Sequence, residues 1–373
     1  MLIIGFVLNS IIRDNYAKGL NYCYMETKVI TIDHMDMDQQ ILLEAGNIIK
    51  QGGLVAFPTE TVYGLGGDAL NKESSKKIYA AKGRPSDNPL IVHICKLEDL
   101  APIVSEISED VYRLAEAFWP GPLTIIMKKS DLIPKETTGG LDTVAVRMPS
   151  HPVALGFIEY AGGYVAAPSA NVSGRPSPTK AKYVMEDMMG RIDMILDGDG
   201  IDIGLESTIV DMTGPIPMIL RPGYITKDML EKVLGEVATD PTILDGDCKE
   251  PPKAPGMRYR HYAPKASLTI VEGVADKTVE TINEFIRQAH ARGDKVGIIG
   301  TEETKDRYLG DSIKSVGKRR DEEAIARTLY TILREFDDED IDVIYSESFA
   351  ECNMGQAIMN RLLKAAGHQI LYV

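Results

Sequence analysis

A short basic segment, residues 251–266, is the part of this acidic chain whose residue types point most clearly to chemistry. It contains Lys253, Arg258, Arg260 and Lys265 with one histidine, two tyrosines and four prolines, and it contains no acid. The whole chain has 55 acidic and 41 basic residues, a net charge of −14. Because proline fixes φ and lacks an N–H donor, the segment is predicted to be a stiff loop. Two interpretations remain open: a linker with solubilising charge, or a basic loop that folds over an anionic ligand.

Further loops rich in Gly, Pro, Ser and Thr adjoin predicted strands. They span residues 57–66, 82–90, 168–177 and 206–208. Their hydroxyls, backbone N–H groups and cations are what phosphate oxygens need, and a carboxylate ligand would use the same groups. Each loop taken alone is more often structural, and His93 alone fits a core histidine equally well, but the recurrence of such loops favours a nucleotide or phosphate site. No Ser–His or Cys–His pairing is evident, so no covalent enzyme intermediate is expected.

Other short motifs are absent or incomplete in the sequence. There is no Walker A, HExxH or GxSxG pattern. The run at 197–200 resembles a calcium loop, but Ile201 occupies the next ligand position, which favours a turn. Residues 64–69 fit GxGxxA only weakly, because residues 59–61 separate the glycines from the preceding strand.

Composition limits the class of protein. The chain has 373 residues, more than one typical core holds, so two domains are expected. Its four cysteines show neither zinc-ligand nor disulfide spacing, which fits a reducing, cytoplasmic location. No apolar run reaches the length of a membrane span. The acidic excess argues against stable nucleic-acid binding through bulk charge.

Periodicity predicts the elements that position these loops. Strands alternate with helices up to residue 235, which predicts an α/β domain with a mixed sheet. Residues 97–118 are predicted to form one continuous helix. From residue 267 the alternation becomes more regular and predicts a smaller, doubly wound α/β domain. The predicted units are therefore a first domain at 36–235, a linker with the basic loop at 236–266, and a second domain at 267–373.

The N-terminal segment lacks this periodicity. Regular patterning begins only near Met25, so residues 1–35 are interpreted as an N-terminal extension that is disordered or contains a mis-assigned start. In the second case translation would begin at Met25.

Ordered motifs along the chain resemble a known family. In chain order they read FPTETVYGLG, KGRPSDNPLIVHI, WPGPLT, TVAVRMP, PSANVSGRPSPT, ESTIVD, RPG and APGMRYRHYAP. From about Gln39 to the C-terminus the chain is similar to the threonylcarbamoyl-AMP synthases of the YrdC-type family, in their long two-domain form. It departs from the family at Ala254, usually serine, and at Arg258, often lysine, and neither change removes a charge.

The resemblance implies a YrdC-like catalytic domain followed by a smaller Rossmann-like α/β domain. It implies an enzyme that joins L-threonine, bicarbonate and ATP into threonylcarbamoyl-AMP and releases pyrophosphate. The product would pass to a tRNA threonylcarbamoyl-transferase complex that modifies the adenosine at position 37 of ANN-decoding tRNAs. Mg²⁺ is expected on the ATP phosphates, with no metal site on the protein.

The resemblance also implies the site residues, none of which is a covalent nucleophile. The threonine pocket would consist of Thr61, His93, Arg147, Ala167 and Ser207. ATP would be held by Lys82, Arg84, Asn88, Thr143, Ser169, Ser177 and Arg221. The linker would close over the site with Arg258, Tyr259, His261 and Tyr262.

Two rival functions remain to be tested. One is a non-catalytic module of the same fold that binds double-stranded RNA or nucleotide, which the full linker and the acidic charge disfavour. The other is a carbamoyl-adenylate former for hydrogenase maturation, although the chain lacks the zinc-finger and acylphosphatase segments of such proteins.

Overall fold

A long mixed sheet forms the centre of the N-terminal domain. This domain is called the catalytic domain below, after the role that the family resemblance implies. The computed structural model describes residues 25–198, 201–243, 254, 262–349 and 354–373. The strands of this sheet are β1 Lys28–Ile32, β2 Val55–Phe57, β3 Gly64–Asp68, β4 Ile91–His93, β5 Leu123–Lys128, β6 Thr143–Arg147, β7 Val165–Ala167, β8 Met194–Gly198, β9 Thr208–Asp211, β10 Met218–Arg221 and β11 Ala238–Thr239. They lie in the order β1-β8-β2-β3-β7-β4-β6-β5-β9-β10-β11, with parallel and antiparallel neighbours.

Helices cover both faces of this sheet. They are α1 Gln39–Lys50, α2 Lys72–Lys82, α3 Leu100–Ile103, α4 Glu109–Phe118, α5 Pro152–Ala161, α6 Ala181–Met188 and α7 Lys227–Leu234, with short 3-10 helices at Leu97–Asp99 and Pro241–Ile243. Apolar side chains of α1 and α5 pack on one face in one cluster, and those of α2, α4 and α6 pack on the other face in a second cluster. Burial on both faces explains why most of the short strands are continuous apolar runs.

The C-terminal domain is built on a five-stranded sheet. Its strands are β12 Ser267–Glu272, β13 Val296–Gly300, β14 Ser312–Ser315, β15 Val343–Glu347 and β16 Ile370–Tyr372. They lie in the order β14-β13-β15-β12-β16, and all neighbours are parallel. The helices are α8 Ala275–Arg292, α9 Glu322–Asp338 and α10 Gly355–Ala365, with a 3-10 helix at Lys305–Arg307. The α8 side chains pack on one face, while α9 and α10 pack on the other. The predicted mixed α/β domain followed by a Rossmann-like α/β domain is thus the observed fold.

Local signals in the sequence set the ends of the helix that carries Lys82. Asn71 caps the start of α2 by accepting from the backbone N–H of Glu73 at 3.0 Å. Gly83 ends the helix in the left-handed conformation, at φ +61°, where a residue without a side chain is favoured. Lys82 is therefore fixed on the last turn of α2, facing the interior.

Two predictions about the elements are wrong. The extension was predicted to reach residue 35, whereas Lys28–Ile32 forms β1 and pairs in parallel with β8. The helix predicted at 97–118 is interrupted, because Val104 is extended and forms a β-bridge with Lys129. Ser108 then caps a new helix, α4, by accepting from the N–H of Val111.

Strand β3 is an element that the sequence did not reveal. Its first residues, Gly64-Leu65-Gly66, fall within the loop predicted at 57–66, but the strand pairs between β2 and β7. A side chain at Gly66 would bring its Cβ within 2.8 Å of Val165 Cγ1. Glycine is therefore required here by close packing inside the sheet rather than by flexibility.

No helix within the described ranges is long and apolar enough to cross a bilayer.

Candidate active site

A polar cavity opens where the ends of several strands of the catalytic domain meet. Together with the open solvent at its mouth it encloses about 690 Å³. Most of the residues predicted for the site line it, namely Thr61, Lys82, Arg84, His93, Arg147, Ala167, Ser169, Ser177, Ser207, Arg221 and Tyr262. The fold therefore brings together loops that are separated by as much as 200 residues in the sequence, as expected when each follows or precedes a strand end.

Arg147, predicted for the threonine pocket, is a buried arginine of the cavity wall. It ends β6 and is 4% exposed. Its Nη1 donates to Thr61 Oγ1 at 2.9 Å, and its Nη2 lies 2.8 Å from Glu60 Oε1. Among the described residues, Arg147 Nε and Nη2 have no hydrogen-bond partner, because the approach of Glu60 is not aligned for one. Glu60 thus already offsets part of the arginine's charge, and Nε is the N–H group that has neither a hydrogen bond nor an ion-pair partner among the described residues.

His93 lies beside Arg147 at the end of β4, and the two residues are paired across the β4/β6 ladder. Burial and then the charge of Arg147 lower the pKa of His93 to about 3. Its Nδ1 is 3.1 Å from Ile91 O, which can only accept. His93 is therefore a neutral imidazole with its proton on Nδ1, and it adds no charge to the cavity.

Ser207 and Arg221 also line the cavity and are hydrogen-bonded to each other. Arg221 Nε donates to Ser207 O at 3.0 Å, and its Nη2 donates to Ser207 Oγ at 3.0 Å. Ser207 Oγ also lies 2.7 Å from Thr124 Oγ1. Burial lowers the pKa of Arg221 to about 10, which leaves it a cation at neutral pH. The β9–β10 pair and its neighbour β5 therefore hold one cation and one hydroxyl at fixed positions.

Lys82, predicted for ATP, lies at the end of α2, where two backbone carbonyls engage its Nζ. Its Nζ donates to the backbone carbonyls of Ser169 and Asn171, and it lies 3.5 Å from Asn171 Oδ1. Burial lowers its pKa well below the usual value, and the charge of Arg84 lowers it further. Lys82 borders the cavity, and in this structure its ammonium group holds the loop at 168–177 in place.

Two residues predicted for ATP do not line the cavity. Thr143 begins β6 and Arg147 ends it, so the two lie about 13 Å apart at a rise of about 3.3 Å per residue. Asn88 is buried beside Arg84, whose Nη2 donates to the carbonyls of Asn88 and Pro89. Arg84 itself borders the cavity, so the loop at 82–90 contributes its arginine and not its asparagine.

The loop residues of the linker are described only in part. Arg258, Tyr259 and His261 lie outside the described residues. Tyr262 is buried in the cavity wall at φ +64° and stacks on Tyr330 of α9, with ring centroids 5.2 Å apart. One member of the predicted loop is therefore placed at the site, held by the C-terminal domain.

Glu206 is a cavity residue that the sequence-based prediction did not include. Its Oε1 accepts from Ser177 Oγ at 2.6 Å, and its Oε2 accepts from Tyr330 at 2.9 Å and from Arg361 Nε at 3.0 Å. The signal was present, since Glu206 precedes Ser207 in a quoted motif, but an acid in an anion site was not expected. Tyr330 and Arg361 had no local signal at all.

Comparison with known proteins places this site in a family. A family model of Sua5, YciO and YrdC proteins, described as "Telomere recombination", matches residues 47–223. A second model, described as "Threonylcarbamoyl-AMP synthase, C-terminal domain", matches residues 225–367. The threonylcarbamoyl-AMP synthase of Pyrococcus abyssi (strain GE5 / Orsay) is 47% identical over 350 residues, which is 93% of this chain and 100% of the relative. The chain belongs to the threonylcarbamoyl-AMP synthase family.

Other relatives agree with this membership. The threonylcarbamoyl-AMP synthase of Bacillus subtilis (strain 168) is 46% identical over 351 residues, covering 93% of this chain and 100% of the relative. A crystal structure of P. abyssi Sua5 complexed with L-threonine matches with a TM-score of 0.88 at 45% identity, covering 93% of this chain and 100% of that chain. As a member of the threonylcarbamoyl-AMP synthase family, the chain has both the YrdC-type domain and the C-terminal domain of the long form.

The described residues contain no group of three or more His, Cys, Asp and Glu side chains placed to hold a metal ion. The carboxylate that lines the cavity, Glu206, has its oxygens engaged by Ser177, Tyr330 and Arg361. The residues present therefore do not fit a resident metal site of their own.

Proposed function

We propose that this protein forms L-threonylcarbamoyl-AMP and pyrophosphate from L-threonine, bicarbonate and ATP, and that the product serves the threonylcarbamoyl modification of adenosine 37 in ANN-decoding tRNAs. The observation that carries the proposal is one cavity with two buried arginines, Arg147 and Arg221, at the ends of β6 and β10, which lie three strand positions apart in the sheet. The amino acid and the nucleotide each bring an anion, and each arginine can meet one. The L-threonine complex of the similar P. abyssi protein supports the amino-acid half.

In the proposed reaction, the amine of threonine and bicarbonate condense to a carbamate with loss of water. A carbamate oxygen then attacks the α-phosphorus of ATP, and the bond to pyrophosphate breaks. Both reacting groups are anions, so the protein chiefly has to neutralise charge and hold the groups in line. Arg147 would bind the threonine carboxylate, while Arg221 and Arg84 would face the phosphates. Mg²⁺ would enter with ATP as part of that substrate.

His93 and the hydroxyl groups suit this reaction because they add no charge. A neutral imidazole beside Arg147 leaves the positive charge on the arginine available to the carboxylate. Thr61 and Ser207 hold the two arginines by direct hydrogen bonds. Fixed donors that need no reorganisation are what stabilises developing charge best. The linker, through Tyr262 and its neighbours, would close the cavity and protect the labile carbamate from water.

The proposal is tested by pyrophosphate release from ATP, measured with and without threonine and with bicarbonate depleted. We expect release to require all three substrates, and the product to support tRNA modification when the transferase complex is added. A nucleotide-binding module would release no pyrophosphate, and a carbamoyl-adenylate former would not respond to threonine. Either result would overturn the proposal.

The threonine half is tested by Arg147→Met. Losing the carboxylate's charged partner should raise the KM for threonine roughly 10- to 100-fold, the scale of a hydrogen-bonded charge pair. The matched control is Arg287→Met, which breaks an exposed ion pair with Glu284 in the C-terminal domain and should leave the KM for threonine unchanged. Equal KM values for threonine in Arg147→Met and Arg287→Met would contradict the assignment of Arg147 to the threonine carboxylate.

A further inference from the structure

Two helices of the C-terminal domain place buried arginines against the catalytic domain. Arg334 on α9 and Arg361 on α10 are 1% and 0% exposed. Arg334 lies 2.6 Å from Asp187, and Arg361 lies 3.0 Å from Glu206. The cost of desolvating such pairs largely offsets their attraction, so burial of a pair is weak evidence for a role in stability alone. The Arg361 pair differs from the Arg334 pair because Glu206 lines the cavity.

Glu206 connects the C-terminal domain to a residue of the ATP side. Ser177 Oγ donates to Oε1 at 2.6 Å. Tyr330 and Arg361 donate to Oε2, and both come from the other domain. An ionised carboxylate only accepts, so Ser177 must direct its single proton at Glu206 and turn its lone pairs toward its other neighbours. Glu206 therefore orients the Ser177 hydroxyl, and Glu206 is itself held by Tyr330 and Arg361 of the C-terminal domain.

The negative charge of Glu206 also has to be compensated if phosphates are to bind beside it. A bare carboxylate in the wall would repel the phosphates of a nucleotide. Burial raises the pKa of Glu206, but the charges of Arg361 and Arg221 lower it more, to about 2, so the group is ionised at neutral pH. Arg361 also donates Nη1 to Pro222 O at 2.7 Å, in the turn that carries Arg221. Arg361 thus offsets the negative charge of Glu206 from a fully buried position, and Arg221 is the arginine beside Glu206 that lines the cavity.

Tyr330 makes a further contact at the same place. Its ring stacks on Tyr262, at 5.2 Å between centroids, while its hydroxyl bonds Glu206. One side chain of α9 therefore contacts both the wall and the end of the linker. Replacing this tyrosine by phenylalanine would keep the stacked ring and remove the hydroxyl, and with it the bond to Glu206 and the side-chain hydrogen bond to Tyr262.

We propose that Tyr330 and Arg361 are positioning residues of the active site, which act through Glu206 to orient Ser177 and to cancel a negative charge in the nucleotide-binding wall. This inference rests on the proposed function, because that function assigns ATP to this wall. It gives the C-terminal domain a part in substrate binding beyond holding the linker.

The test uses the full-length protein and compares Tyr330→Phe with Thr331→Val. Both remove one hydroxyl of α9 that bonds to the catalytic domain, but Thr331 bonds Thr179, which lies outside the cavity wall. We expect Tyr330→Phe to raise the Kd of ATP by calorimetry, and the KM for ATP, by roughly three- to tenfold, the scale of one hydrogen bond to a charged group. The KM for threonine should change by less than about twofold in that variant, since Arg147, which is proposed to bind the threonine carboxylate, lies on β6, three strand positions from the strand of Arg221.

Arg361 is tested by charge compensation. Arg361→Gln should weaken ATP binding more than Tyr330→Phe, because it leaves Glu206 with Arg221 as its compensating charge, and Arg221 is the arginine proposed for the phosphates. Adding Glu206→Gln to Arg361→Gln should recover much of the lost affinity for ATP, which an arginine serving only to join the domains would not produce. If Arg361→Gln does not fold, Tyr330→Phe decides the question.

Equal Kd and KM values for ATP in Tyr330→Phe and Thr331→Val overturn the inference. An increase in the KM for threonine as large as that for ATP in Tyr330→Phe also overturns it. A wild-type protein that binds ATP but releases no threonine-dependent pyrophosphate overturns the proposed function alone, and the inference is then judged by the ATP Kd. A wild-type protein that does not bind ATP overturns both.

Discussion

At the scale of single residues, the cavity combines fixed cations with groups kept neutral. Arg147 is paired with Glu60, whereas His93 beside it is neutral because burial and the neighbouring charge of Arg147 both lower the pKa of His93. The same wall could have held a second cation, but two charges at that distance would have been costly to bury. The neutral state of His93 has a measurable consequence for stability.

The free energy of unfolding should fall at acidic pH because of His93. The unfolded chain gains a proton on this histidine near its ordinary pKa of 6.5, while the folded chain does not until about pH 3. Between these values the unfolded state binds more protons, so stability rises with pH and is lost as pH falls. From about pH 7.5 to about pH 5 this amounts to about 2 kcal/mol for one such group.

Urea unfolding of the wild type and of His93→Gln at both pH values measures this contribution. The wild type should lose about 2 kcal/mol more than the variant, since the other titrating groups are common to both. A His93 resonance that titrates near pH 6.5 by NMR, or equal losses in the two proteins, would show that the histidine is not held neutral.

At the scale of elements, the turn after β10 sets the position of Arg221 by close backbone packing. A Cβ added to Gly223 would lie 2.5 Å from Thr208 N and 2.8 Å from Glu206 O. These atoms belong to the segment that carries Ser207, so they cannot move without moving the cavity wall. The glycine of the RPG motif is explained by this contact.

Gly223→Ala should therefore disturb both stability and the site. We expect a loss of about 1–3 kcal/mol in the free energy of unfolding, the cost of overpacking, together with a raised KM for ATP. The control is Gly214→Ala, in the turn between β9 and β10, where the nearest atom to the added Cβ is Ile216 O at 3.7 Å. That variant should stay within about 0.5 kcal/mol of the wild type, and a similar loss in both would contradict the packing argument.

At the scale of the whole molecule, the two domains share one apolar cluster and buried ion pairs. Val62 and Leu205 of the catalytic domain pack in the same cluster as Leu329 and Tyr330 of α9. Next to this cluster, Arg334 donates to Asp187 and to Pro176 O. An interface with these features is expected to couple the unfolding of the two domains.

Calorimetry should accordingly show a single thermal transition for the full chain. Arg334→Met leaves Asp187 with Arg175 as its remaining cation, and should cost about 2–4 kcal/mol, somewhat less than leaving a buried charge wholly unpaired. The control, Lys182→Met, breaks the exposed pair with Asp338 between the same domains and should cost less than about 1 kcal/mol. Two separate transitions in the wild type would mean that the domains unfold independently.

The sequence by itself determined the chemistry of the site and the class of the fold. Apolar runs of strand length, helix caps such as Asn71 and Gly83, and hydroxyls and cations beside strands are local signals that act within a few residues. Since strand ends converge at a sheet edge, those signals predicted that the polar loops would meet at one site, whereas the assignment of single residues such as Thr61, Arg147 and Arg221 came from the family resemblance.

The tertiary structure decided which of these groups face the cavity and what holds them there. Lys82 is engaged by carbonyls 87 and 89 residues away, and Glu206 is held by Tyr330 and Arg361, at separations of 124 and 155 residues. Strand β1 likewise exists only through its pairing with β8. Such contacts depend on how distant elements pack, and local propensity carries no information about a partner that far along the chain.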